Sequence, residues 1–159
     1  MTKAVRLELN GSPVAAVAEG GENLLALLRE RLGDTSPKAG CLQGTCGACT
    51  VLLDGEPVLA CLTLAELADG RRVTTVRGLQ DGPRLHPLQE AFMDGFAAQC
   101  GFCTPGMLIA AKALLDREPN PTREQVIEAI AGNVCRCTGY TPIVEAILDA
   151  ARRLAGRRG

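Results

Sequence analysis

The chain has 159 residues, room for one ordinary domain or two small ones. Its 17 basic side chains nearly balance 18 acidic ones, for a net charge of −1, so no field draws in nucleic acid or an anionic membrane. No apolar run approaches the roughly 20 residues needed to span a bilayer. The opening "MTKAVRLELNG" alternates apolar and polar residues where a secretory leader holds an apolar stretch. These features predict a cytoplasmic protein without membrane insertion, and disulfides rarely persist in that compartment.

The first 77 residues read as strands with one helix. In "VRLEL", Val5, Leu7 and Leu9 alternate with charges, as in a half-buried strand. Asn10–Gly11 is a strong hairpin signal, with "SPVAAV" as the return strand. In "NLLALLRERLG", Leu24, Leu25, Leu28 and Leu32 share a helical face, Asn23 can cap the start and Gly33 can end it. "CTVLLDGEPVLAC" gives strand, turn, strand, and "RRVTTV" one strand more. Together they form a small α+β unit.

Residues 78–86, "GLQDGPRLH", read as a linker. Residues 87–159 then read as four helices in two similar hairpins. "PLQEAFMDGFAAQ" spaces Leu88, Phe92 and Phe96 helically. "TPGMLIAAKALLD" offers Thr104 as a cap and Pro105 at the first helical position. "PTREQVIEAIAGN" offers a capping box from Thr122 and Gln125, and "TPIVEAILDAARRL" begins with a second Thr-Pro pair. Arg152, Arg153, Arg157 and Arg158 suit the solvated end of the last helix.

The chemistry lies in eight cysteines. In a reducing compartment they read as metal ligands. The first set is Cys41-x4-Cys46-x2-Cys49-x11-Cys61. Four soft thiolates suit zinc or iron–sulfur, and this spacing is the plant-type [2Fe-2S] pattern. Gly40, Gly44 and Gly47 allow a loop whose amides point inward at sulfur. The hairpin that follows Cys49 carries Cys61 back to the loop.

The second set, Cys100-x2-Cys103-x31-Cys135-x-Cys137, sits at the turns of the two helical hairpins. Packing the hairpins side by side closes a four-sulfur site. Spacing alone leaves zinc open here. It also leaves open a redox dithiol at Cys100/Cys103, although the βαβ context of one is missing.

"GCLQGTCGACTV", "QCGFCTPGM" and "GNVCRCTGYTPI" closely resemble the iron–sulfur subunit of molybdenum hydroxylases, the family of xanthine dehydrogenase, aldehyde oxidoreductase and carbon monoxide dehydrogenase. The resemblance runs from about residue 3 to 153 and matches all eight cysteines. It implies an α+β fold: an N-terminal β-grasp, ferredoxin-like domain, then a C-terminal four-helix domain. The first would hold a [2Fe-2S] cluster on Cys41, Cys46, Cys49 and Cys61, the second another on Cys100, Cys103, Cys135 and Cys137. It also implies electron transfer between molybdopterin in a large partner subunit and FAD in a medium one, within a complex that relatives often assemble as a dimer of heterotrimers. Gln99 and Cys137 match pterin-contacting positions; without the resemblance Gln99 reads as a polar helix end. No catalysis is expected from this chain alone. Relatives often show "LGLTGTKxGC" where this chain has "LGDTSPKAGC", so Asp34, Ser36 and Pro37 are expected to change the loop's approach or its contact with the flavin subunit. Lys38 and Arg136 stand beside ligands and read as solvent-exposed. Two rival readings remain: a free-standing two-cluster ferredoxin with a polar surface at the second site, and a zinc-stapled interaction module. The family reading expects the second site to be buried.

Overall fold

A computed structural model describes residues 1–158. Gly159, counted in the helical half, lies outside them. The chain begins with β1 (Thr2–Leu9) and β2 (Ser12–Glu19), paired antiparallel through a turn at Asn10 (φ 53°) and Gly11 (φ 82°). Left-handed backbone at both central residues is what a two-residue hairpin of matching twist requires. Next comes α1 (Leu24–Ala26), capped by Asn23, whose Oδ1 accepts from the Ala26 amide at 2.9 Å. The helix does not continue in α form as the spacing predicts. Residues Leu27–Arg31 widen into a π-turn, and Leu27 joins Leu24, Leu25 and Leu28 in the core while Leu32 is only partly covered.

Strands β3 (Thr50–Leu53) and β4 (Glu56–Leu59) form the second hairpin, and β5 (Arg72–Thr74) completes the sheet. The strand order is β2-β1-β5-β3-β4, with β1 and β5 parallel and the other pairs antiparallel. Short 3-10 turns at Ala65–Ala68 and Val76–Gly78 were not legible as elements. The helical half holds α2 (Pro87–Asp94), α3 (Thr104–Arg117), α4 (Arg123–Ala129) and α5 (Thr141–Arg158).

Each half has its own core. Val5, Leu7, Leu27, Val51, Leu53 and Val73 fill the first; Leu88, Met107, Ile109, Leu115, Ile143 and Ile147 fill the second. Strand β3 serves both. Successive strand side chains point to opposite faces, so Val51 and Leu53 enter the sheet core while Leu52 enters the helical one. The two halves therefore share a buried strand.

Helix caps explain most boundaries. Thr122 and Gln125 form the expected capping box, with the Thr122 amide donating to Gln125 Oε1 at 2.7 Å. Thr104 does not cap: it lies inside α3 after Cys103, and its Oγ1 is buried without a partner. Phe96 is not on α2 either. The helix stops at Gly95, and Phe96 turns left-handed (φ 51°) with 83 % of its surface exposed. At the end of α5, Arg153 bonds Asp94 at 2.7 Å and Arg157 bonds Glu90 at 2.8 Å, so these members of the basic tail lock α5 onto α2. Among the described residues no helix is long and apolar enough to cross a membrane.

Candidate metal centres

The loop from Gly40 to Cys49 turns its amides onto its own sulfurs. Thr45 N–H donates to Cys41 Sγ at 3.2 Å, Gln43 N–H to the same sulfur at 3.5 Å, and Cys41 N–H to Cys46 Sγ at 3.4 Å. Hydrogen bonding from Thr45, then from the Gln43 amide, pulls the Cys41 thiol down to about 5. Glycine is needed at Gly40 because a Cβ there would stand 2.8 Å from Cys46 Sγ. Across the site, Cys49 and Cys61 are buried against the sheet core. Burial pushes the Cys49 thiol up to about 11, and Cys61 is its hydrogen-bonding neighbour.

The second set gathers as expected at the turns between α2 and α3 and between α4 and α5. Cys137 and Cys100 are 3.6 Å apart, sulfur to sulfur. Burial pushes Cys103 up to about 12, and its hydrogen-bonding neighbour is Cys135. Burial alone would raise Cys135 too, but hydrogen bonds from Thr138 and from the Cys137 amide outweigh it and lower that thiol.

Within the sets, the Cys41 amide donates to Cys46 Sγ, and Cys100 and Cys137 meet sulfur to sulfur. Four thiolates with amides turned onto their sulfurs, as the first loop shows, would suit an iron–sulfur group.

Residues 7–74 match the 2Fe-2S iron-sulfur cluster binding domain, and residues 75–148 match the [2Fe-2S] binding domain. The nicotine 6-hydroxylase small subunit of Paenarthrobacter nicotinovorans is 50 % identical over 155 residues, covering 98 % of this chain and 93 % of that one. The chain belongs to the family of iron–sulfur small subunits of molybdenum hydroxylases. In crystal structures, quinoline 2-oxidoreductase from Pseudomonas putida 86 matches with a TM-score of 0.94 at 46 % identity, over 99 % of this chain and 98 % of that one. The aldehyde oxidoreductase of Desulfovibrio desulfuricans matches with a TM-score of 0.93 at 45 % identity, over 97 % of this chain but only 17 % of that longer one.

In this small subunit the two centres are tied directly together. Val134 N–H donates to the Cys46 carbonyl at 2.9 Å, and Asn133 Nδ2 donates to the Gly47 carbonyl at 2.9 Å. Gly47 (φ 69°) leaves room for this, since a Cβ there would come within 2.5 Å of the Gly132 carbonyl oxygen. Asn133 is a buried polar side chain whose role the sequence hid: beside Gly132 it reads only as part of a helix stop. Thr138 and Tyr140 carry no sequence signal beyond a turn before a Thr-Pro helix start.

The second site is not buried in the chain. Cys135 is, but Cys100 and Cys137 lie exposed, because the two turns close side by side without a covering segment. Gln99 is exposed next to Cys100, in the loop beyond α2 and not at a helix end. In the segment before Cys100, Met93 (66 %) and Phe96 are open to solvent and line one surface cavity with Leu108. Arg136 is exposed, as expected; Lys38 is half-buried, its Nζ donating to the Thr35 carbonyl at 2.9 Å.

The departure at Asp34 is structural. Its carboxylate is buried, accepting from Thr75 Oγ1 at 2.7 Å, Ser36 N–H at 3.0 Å and Asn10 Nδ2 at 3.5 Å. Burial alone would raise this carboxyl, but the bonds from Ser36 and Thr75 prevail and hold it below the usual range.

Proposed function

We propose that this chain is the electron-carrying subunit of a molybdenum-dependent oxidoreductase in the cytoplasm, lying between a molybdopterin site in a large subunit and FAD in a medium one. Residues 1–77 form one cluster domain, 78–86 the linker and 87–159 the other. Cys41, Cys46, Cys49 and Cys61 hold one [2Fe-2S] group, and Cys100, Cys103, Cys135 and Cys137 the second, with Gln99 and Cys137 against the pterin. When bound, such a group accepts and passes on one electron at a time. The protein sets position and potential.

The observation that carries this reading is the bond from Val134 to Cys46. It joins a residue adjacent to one candidate ligand to another candidate ligand, with no side chain between. A zinc-stapled module has no use for that proximity. The exposed Met93 and Phe96, which share one surface cavity just before Cys100 in the chain, favour a fixed partner over a free-standing ferredoxin, because exposed apolar surface calls for a cover. The matched region is a separate small subunit in one relative and a 17 % portion of a longer chain in another, which supports such a cover.

The test is purification of the chain expressed with its native neighbouring subunits. Expected are copurification of larger subunits, red-brown absorption, and two distinct EPR signals after reduction. A colourless protein that binds zinc alone would overturn the reading.

A further inference from the structure

Tyr140 holds a left-handed backbone (φ 70°) directly after left-handed Gly139 (φ 68°). For a bulky aromatic residue that conformation is strained, and such strain concentrates where function uses it. The turn shows what it secures. The Cys135 amide donates to Tyr140 Oη at 2.9 Å. The Tyr140 amide donates to Thr138 Oγ1 at 3.2 Å, and the Thr138 hydroxyl donates to Cys135 Sγ at 3.2 Å. These bonds close a ring that begins and ends on Cys135.

We infer that Thr138 and Tyr140 are positioning residues that set the redox potential of the second site through the Cys135 sulfur. This rests on the reading that Cys135 is a ligand there. One-electron reduction adds negative charge to the site, and hydrogen bonds to ligand sulfur are among the factors that fix the potential. A hydroxyl aimed at the sulfur favours the more negative, reduced state. The Tyr140 amide polarises that hydroxyl, because donors in series strengthen one another. Tyr140 Oη meanwhile takes up the Cys135 amide and so fixes the cysteine backbone to which the hydroxyl is registered. At the first site the Cys41 sulfur takes the Gln43 and Thr45 amides together with hydrogen bonding from the Thr45 side chain.

The experiment is an EPR-monitored redox titration of the iron-loaded holoprotein carrying Thr138→Val, Thr138→Ser or Tyr140→Phe. Thr138→Val keeps the shape and removes the donor. It should shift the one-electron equilibrium of the second signal toward the oxidised state by roughly fivefold to tenfold, the upper figure corresponding to about 59 mV. Thr138→Ser should restore the wild-type value. Tyr140→Phe should shift the same signal in the same direction, by less, since the backbone donor to Thr138 remains. The first signal should stay put in all three. Unchanged titrations in Thr138→Val, or a Thr138→Ser protein that behaves like it, would overturn the inference while leaving the two-cluster reading intact. A wild-type protein with no second signal would instead overturn the reading beneath it.

Discussion

Gly106 marks the place where the helical half presses on the first cluster loop, and Gly106→Ala measures that contact. Gly106 is the third residue of α3, and a Cβ there would overlap the Gly47 carbonyl oxygen and approach Asn133 Nδ2 to 3.1 Å. Neither partner yields easily. The Gly47 carbonyl is held by Asn133 Nδ2 at 2.9 Å and by Thr50 Oγ1 at 2.7 Å, and α3 is anchored by buried Met107 and Ile109 on either side of its axis. Overpacking of this kind costs about 1–3 kcal/mol, and loosening the Asn133 bond adds about 0.5–1.5 kcal/mol. Against this, alanine is better than glycine in a helix by about 1 kcal/mol. The net expectation is a loss of about 0.5–3.5 kcal/mol. Gly156→Ala in α5 is the control, since nothing lies within 4 Å of a Cβ there, and it should be neutral or stabilising. Urea midpoints followed by circular dichroism give the comparison, and the first EPR signal should broaden or shift in Gly106→Ala alone. If Gly106→Ala is as stable as Gly156→Ala, the contact between α3 and the loop is not what the geometry says.

Cys46→Ser and Cys135→Ser should each abolish one EPR signal and spare the other; joint loss of both would argue against two separate sites. Arg136→Gln should lower the potential of the second centre, though only slightly because Arg136 is exposed and its field is screened; an unchanged titration would remove it from the site. His86 caps α2 through Nδ1, which accepts the Leu88 amide at 3.2 Å, so it must be neutral. Burial holds its pKa below 6.5, so its contribution is complete above about pH 6.5 and falls away as pH drops through the lower folded value. His86→Asn keeps a cap acceptor without the titration and should flatten the urea midpoint between about pH 7 and 5. Asp34→Leu strands the buried donors of Thr75 and Asn10 and should cost about 2–4 kcal/mol. Because the folded carboxyl lies below its usual range, the stability it supplies is full above about pH 4 and is lost as pH falls further; Asp34→Asn should remove that acid-dependent part of the unfolding curve.

Period and punctuation revealed the elements because local rules agreed with the fold. Asn10–Gly11 and Asp54–Gly55 each show the paired left-handed angles that their dipeptides predict, and the Asn23 and Thr122 caps stand where their side chains suggest. Phe96 misled because a residue at helical spacing is indistinguishable from one just past a helix stop, and the stop at Gly95 depends on where the loop must lead next. The π-turn at Leu27–Arg31 is invisible for a similar reason: widening the helix answers the shape of the core, bringing Leu27 inward. Both cysteine sets were legible as sets, since their spacing is local chemistry. Their mutual contact was not. Asn133 and Gly47 are 86 positions apart, and nothing in either neighbourhood names the other.

Burial gives the second centre a direction. Cys135 is buried and follows Val134, whose amide reaches the Cys46 carbonyl, so it marks the side turned toward the first loop. Cys100 and Cys137 form the exposed side, preceded in the chain by exposed Met93, Phe96 and Gln99. A site built to serve diffusing partners gains nothing from an apolar rim, which invites aggregation. A site permanently covered by a neighbour gains from water exclusion, because charge interactions strengthen as the local dielectric falls. The exposed side of this centre therefore makes physical sense as a face completed by another subunit. The inner side is held to the first loop from within the chain, by the Val134 amide on the Cys46 carbonyl and the Asn133 side chain on the Gly47 carbonyl.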